Sequence, residues 1–126
     1  MANLAAPPQA YRRAEVLAAT PGQLVVMLFD GARRFLRQAA AAMEAGEVER
    51  CHVTLRYAEM IIAHLDATLD LQQGELAARL HDVYSFYLRH LNSARMSQDA
   101  AMLHEVSELL GELREAFAQA AGETSG

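Results

Sequence analysis

The sequence predicts an all-α fold, an antiparallel up-down-up-down four-helix bundle preceded by a mobile N-terminal arm. Apolar residues recur at steps of three and four through four long segments, the period of an amphipathic helix. No run of alternating β-branched residues suggests a strand, and no proline follows Pro21. Gly46 and Gly74 fall between the periodic segments, where helices stop. Short connections should leave neighbouring helices antiparallel.

Met1 to about Ala19 is rich in alanine and proline and shows no helical stripe, so it is expected to be an arm over residues 1–19. Thr20 is a candidate N-cap whose hydroxyl can accept from the next free backbone N–H groups. Pro21 follows where a missing N–H costs nothing. The first helix is expected from Pro21 to about Ala45, the second from about Glu47 to Gln73, and the third from Glu75 to about Arg95. Ser97 or Asp99 then caps a fourth helix running to about Ala121. The bundle should therefore span 20–121, with 122–126 a disordered tail.

The core stripes follow from the periodicity. In the second helix the stripe is Val48, Cys51, Leu55, Ala58, Ile62, Leu65 and Leu69. The third carries Leu80, Tyr84, Tyr87, Leu91 and Ala94, and the fourth Leu103, Val106, Leu110, Leu113 and Phe117. The second helix has apolar surface to spare. Its charge is largely confined to Glu49, Arg56, Glu59, Asp66 and Asp70, while Val53, Tyr57, Met60, His64, Ala67 and Leu71 form a further uncharged set beside the core stripe. A bundle helix needs an apolar stripe of little more than about 100°. The surplus calls for a cover: another part of the chain, a second copy or a partner.

Composition excludes several classes. The 126 residues suit one domain that can bury roughly two-thirds of its unfolded surface without disulfide or metal. The single Cys51 has no internal partner, fits a reducing compartment and sits where a small core residue belongs. All 11 basic residues are arginine, and 16 acidic residues leave a net charge of −5, which argues against nucleic acid. Pro7 and Pro8 interrupt any apolar leader, and no apolar run reaches membrane-spanning length. A soluble, cytoplasmic protein with no membrane insertion is expected.

No catalytic grouping, cofactor motif or metal set emerges, so the chain is expected not to be an enzyme. His52, His64, His81, His90 and His104 are never three or four apart. Glu49 and His52 match one half of a di-iron Glu-x-x-His pattern, but no second copy exists. A histidine phosphotransfer bundle is a rival reading, with His64 or His90 as acceptor. Against it, such domains usually place a lysine and a glycine just after the histidine, and neither site has one. A dimeric structural bundle is the other alternative. Gly111 reads as a packing accommodation, and the acidic strip Glu105, Glu108, Glu112 and Glu115 as a solvated face or a docking surface.

Tyr11, the start at Thr20-Pro21, the turn from Leu24 to Leu28 and the sequence Phe29-Asp30-Gly31-Ala32 together resemble the FliS family of flagellar export chaperones. Gly31 stands mid-helix, where alanine would be better by about 1 kcal/mol, so something is expected to approach the backbone closely there. The resemblance continues through Leu55, Ala58, Ile61, Ile62, Leu65, Leu69-Asp70, Val83-Tyr84, Asp99 and Glu105 to Arg114. Phe117 and Arg95 replace residues that are often tryptophan and asparagine in that family. The resemblance implies a chaperone holding the disordered C-terminal segment of flagellin and presenting it to the flagellar export apparatus. A homodimer is also possible on the surplus face. The residues expected to meet a partner are Tyr11, Phe29, Gly31, Tyr57, Ile61, Ile62, Leu65, Leu69, Tyr84 and Leu88, with Ile61 the favoured groove residue. Tyr11 is expected to fill that groove when no client is present.

Overall fold

The computed structural model describes residues 8–122. Within them lie five α-helices and no strand: α1 Pro8–Ala18, α2 Pro21–Glu44, α3 Val48–Ala67, α4 Glu75–Ser97 and α5 Ala100–Ala120. Helix α1 corrects the expectation of a patternless arm. Pro8 occupies the first helical position, and alanine, arginine, glutamate and leucine then favour helix by propensity. Residues 12–18 are all exposed, so little tertiary packing supports it.

Local chemistry sets the other boundaries. The Thr20 hydroxyl accepts from Gln23 N at 3.2 Å, and Thr20 N donates to Gln23 Oε1 at 2.9 Å, a reciprocal capping box ahead of Pro21. Helix α2 ends with Gly46 at φ +73°. Gly46 N donates to Met43 O and Glu47 N to Ala42 O, which satisfies carbonyls the helix leaves open. Helix α3 stops at Ala67, six residues before its expected end at Gln73. The Thr68 hydroxyl turns back to Leu65 O at 2.8 Å, and the Asp70 carboxylate accepts from Gln72 N to open a single 3-10 turn over Leu71–Gln73. Side-chain-to-backbone bonds compete with the helix there and win. Of the two candidate caps for α5, Asp99 takes the role, accepting from Ala101 N at 3.0 Å.

Helix α2 packs extensively on both α3 and α5, and α4 joins those two on the far side. One core results, with Phe29 and Leu36 from α2, Leu55 and Ile62 from α3, Tyr84 and Leu91 from α4, and Leu103, Val106 and Leu110 from α5. The Phe29 ring lies 6.4 Å from Tyr84 and 5.2 Å from Phe117, tilted against each. Fully buried Ala39, Ala40 and Ala42 let helix backbones approach at the other end of α2. The stripes of α4 and α5 lie inward as expected. In α3, Cys51, Leu55, Ala58, Ile62 and Leu65 are buried, but Val48 is 78% exposed because it opens the helix at the end of the core. Burial pushes the Cys51 thiol above its ordinary pKa, as befits a core residue.

Polar clamps join the helices at their edges. Arg114 on α5 donates Nε and Nη2 to the two oxygens of Asp30 on α2, at 2.9 and 3.3 Å. Arg33 Nε on α2 donates to Ser107 O on α5 at 3.0 Å. Arg95 on α4 pairs with Glu59 on α3, and His81 Nδ1 of α4 meets Asp66 Oδ1 of α3 at 2.7 Å.

The Asp66 hydrogen bond and charge raise the His81 pKa above its ordinary value. A raised folded-state pKa gives stability that is present below the unfolded pKa, about 6.5, and lost as pH rises through the higher folded value. Denaturant midpoints should therefore show wild type exceeding His81→Gln most at pH 6. The gap should close at pH 9. A gap that stays constant from pH 6 to pH 9 would mean the pair is held by a neutral hydrogen bond alone, and one that widens would mean that folding lowers the pKa.

Candidate functional site

Helix α2 is apolar on two faces. One enters the core through Val26, Phe29, Ala32 and Leu36. The other runs Leu24, Met27, Leu28, Gly31 and Phe35, again at steps of three and four, and forms a wall of a groove of about 460 Å³. Ile61 and His64 of α3 also line it, and α1 contributes Arg12 and Val16. The apolar surface continues outward along α3. The Phe35 and Tyr57 rings stand 5.2 Å apart, and Tyr57, Met60 and Val53 are 48, 58 and 41% exposed. The surplus face on α3 is thus present, and the described residues leave it open to solvent. Contiguous apolar surface of this kind marks an interaction site.

The structure sorts the sequence candidates by location. Gly31 and Ile61 come together in the groove, and Tyr57 sits where the groove opens onto α3. Phe29, Ile62, Leu65 and Tyr84 are sealed in the core, one helical step from the open face in the case of Ile62. The Tyr84 phenol, pushed up to about 12 chiefly by burial, stays neutral. Leu69 and Leu88 pack half-buried against the core away from the groove. The side chain of Tyr11 lies outside the described residues. The sequence reading missed Leu24, Met27, Leu28, Arg34 and Phe35. The unbroken run Leu24 to Phe29 was the available signal, since a helix that is apolar all round has more than one face to bury.

Gly31 repays a closer look. A Cβ added there would lie 3.5 Å from Ile61 Cδ1 and 3.7 Å from Arg34 Nη2, ordinary contact distances. Among the described residues, nothing makes the close approach expected at Gly31. Gly111 differs, because a Cβ there would fall 2.8 Å from Arg33 Cζ. The absent side chain at 111 is what seats the Arg33 guanidinium against α5.

No group of three or more histidine, cysteine, aspartate or glutamate side chains is placed to hold a metal among the described residues. No helix there is long and apolar enough to cross a membrane. The arrangement offers an apolar groove, an exposed apolar strip and a surface helix beside them. The family model described as flagellar protein FliS matches residues 3–124. The chain belongs to the FliS family. It is 38% identical over 114 residues to the flagellar secretion chaperone FliS of Bacillus subtilis, covering 90% of this chain and 85% of that one. It is 39% identical over 106 residues to the flagellar secretion chaperone FliS of Salmonella typhimurium, covering 82% and 78% of the two chains. The flagellar secretion chaperone FliSB of Pseudomonas aeruginosa is 35% identical over 102 residues, or 80% and 81%. FliS is a family of chaperones, not of enzymes.

In this FliS chain the two mid-helix glycines should answer differently to the same substitution. Gly31→Ala should raise stability by up to about 1 kcal/mol, since alanine favours helix and its methyl has room. Gly111→Ala should gain less, because its methyl falls on the Arg33 guanidinium, whose shift strains a hydrogen bond to Ser107 O worth about 1 kcal/mol. Chemical denaturation of both variants measures this. Equal stabilisation would mean that Arg33 moves aside without cost.

Proposed function

We propose that this protein is a cytoplasmic export chaperone that binds the disordered C-terminal segment of flagellin, prevents its premature polymerisation and delivers it to the flagellar type III export apparatus. In this reading α2 to α5 form the expected up-down-up-down bundle, and the client packs along the α2–α3 groove. The observation that carries it is the open apolar surface from Leu28 and Gly31 through Ile61 to Tyr57. A disordered segment has amphipathic stretches with nothing to pack against, and such a groove supplies the missing surface. The names of the relatives in Bacillus subtilis and Salmonella typhimurium point to the same process. Helix α1 brings Arg12 and Val16 to the edge of that groove.

Pull-down of flagellin with and without its C-terminal segment tests the client directly. Only the intact protein should be retained, and equal retention of both would exclude the C-terminal segment as the ligand. Two substitutions on α3 then test the surface. Leu65→Asp buries an unpaired carboxylate and should cost about 3 kcal/mol or more, enough to unfold a marginal domain. Ile61→Asp should keep its helicity and melting temperature while weakening flagellin binding tenfold or more, a loss of about 1.4 kcal/mol. If Ile61→Asp folds and binds normally, the surplus face serves something else, such as a second copy of the chain.

A further inference from the structure

The groove reverses the sign of the protein around it. The chain carries a net charge of −5, yet the charged residues lining the groove are Arg12 from α1 and Arg34 from α2, with His64 of α3 beside them. Among the described residues no ion pair engages either arginine. Asp30 and Glu15 share an adjoining depression with both, but Asp30 is held by two hydrogen bonds from Arg114 on α5. The Arg34 guanidinium also lies 5.7 Å from the Phe35 ring centre, so its head is positioned where apolar surface gives way to charge. Its pKa is lowered first by burial and then by Arg12, with Arg37 adding and Asp30 opposing. Two cations thus stand at the rim of an apolar groove with no ion pair of their own, the nearest carboxylates, Glu15 and Asp30, lining the adjoining depression rather than the groove.

We propose that the groove selects an amphipathic helical segment carrying an acidic side chain, which enters between Arg12 and Arg34 while its apolar face lies on Leu28, Gly31 and Ile61. A carboxylate can accept from both guanidiniums, whose planar forks match its two oxygens. Because one arginine is on α1 and the other on α2, the same carboxylate draws α1 down over the bound segment. The client would therefore convert a helix with few contacts of its own into a strap. This rests on the chaperone reading above and adds to it the chemistry by which one segment is chosen over other apolar ones.

A double-mutant cycle tests it, using a synthetic peptide of the flagellin C-terminal segment and calorimetric or anisotropy titration. Each Asp and Glu of the peptide is replaced singly by Asn or Gln, and each peptide is titrated against wild type, Arg34→Gln and Arg12→Gln. One replacement should weaken binding to wild type at least tenfold and have no further effect on Arg34→Gln. Arg12→Gln, on an exposed helix whose loss cannot unfold the core, should reduce the same coupling. If no acidic position matters, or if client and arginine losses simply multiply, the carboxylate is not held there and the proposal fails. If Ile61→Asp abolishes binding while both arginine variants bind as wild type, the chaperone reading stands and this proposal alone falls. If wild type does not bind the peptide at all, both fall.

Discussion

Everything in this fold depends on α2 packing against α3 and α5 at once. A helix with two neighbours and a core to fill must be apolar around most of its circumference, and the run Leu24 to Phe29 supplies this. Val26, Phe29, Ala32 and Leu36 satisfy the core, after which Leu24, Met27, Leu28, Gly31 and Phe35 remain on a face that α3 only partly covers. The groove is thus the remainder of the packing problem that α2 solves. A helix amphipathic in the ordinary sense would have left a charged surface in its place.

Three consecutive residues of α2 divide the work, since successive residues of a helix point about 100° apart. Asp30 turns to α5 and is clamped by Arg114, Gly31 floors the groove beside Ile61, and Ala32 is fully buried in the core. Their order fixes the groove relative to the core, because the ion pair and the buried methyl set the rotation of α2 between its neighbours. Arg33 then donates to Ser107 O across the space that Gly111 leaves. With Asp30 and Arg33 committed to α5, Arg34 is left at the groove rim as the charge that the fold does not use.

Features written in local chemistry were legible in the sequence. The cap at Thr20-Pro21, the stop at Gly46 and the inward stripes of α4 and α5 need only neighbours a turn away. The surplus face of α3 was legible too, because its charges gather on one strip and leave Tyr57 and Met60 without a reason to be buried. Phase was harder. Ile61 and Ile62 are adjacent and alike, yet one lines the groove and the other is core, and only Ile61 was separated from the stripe by its spacing. Phe29 is expected at a partner surface and Tyr84 both there and on the core stripe of the third helix, and their rings pack on each other inside. Helix α1 was missed because the alanine and proline composition of residues 1–19 masked the one-sided apolar pattern of Pro8–Ala18, and the early end of α3 because Thr68 and Asp70 compete with the helix for backbone partners. The groove wall on α2 was missed because six apolar residues in a row carry no phase to read.

The central claim is that one helix serves the core with one face and the client with another. Hydrogen–deuterium exchange measured with and without the flagellin C-terminal segment tests it most directly. Without the segment, amides of residues 26–40 should exchange among the slowest in the chain and those of α1 among the fastest. With it, new protection should appear in α1 and along residues 57–64, while α4 and α5 keep their rates. Protection confined to α4 and α5, with α1 and α3 unchanged, would place the client elsewhere and contradict the account.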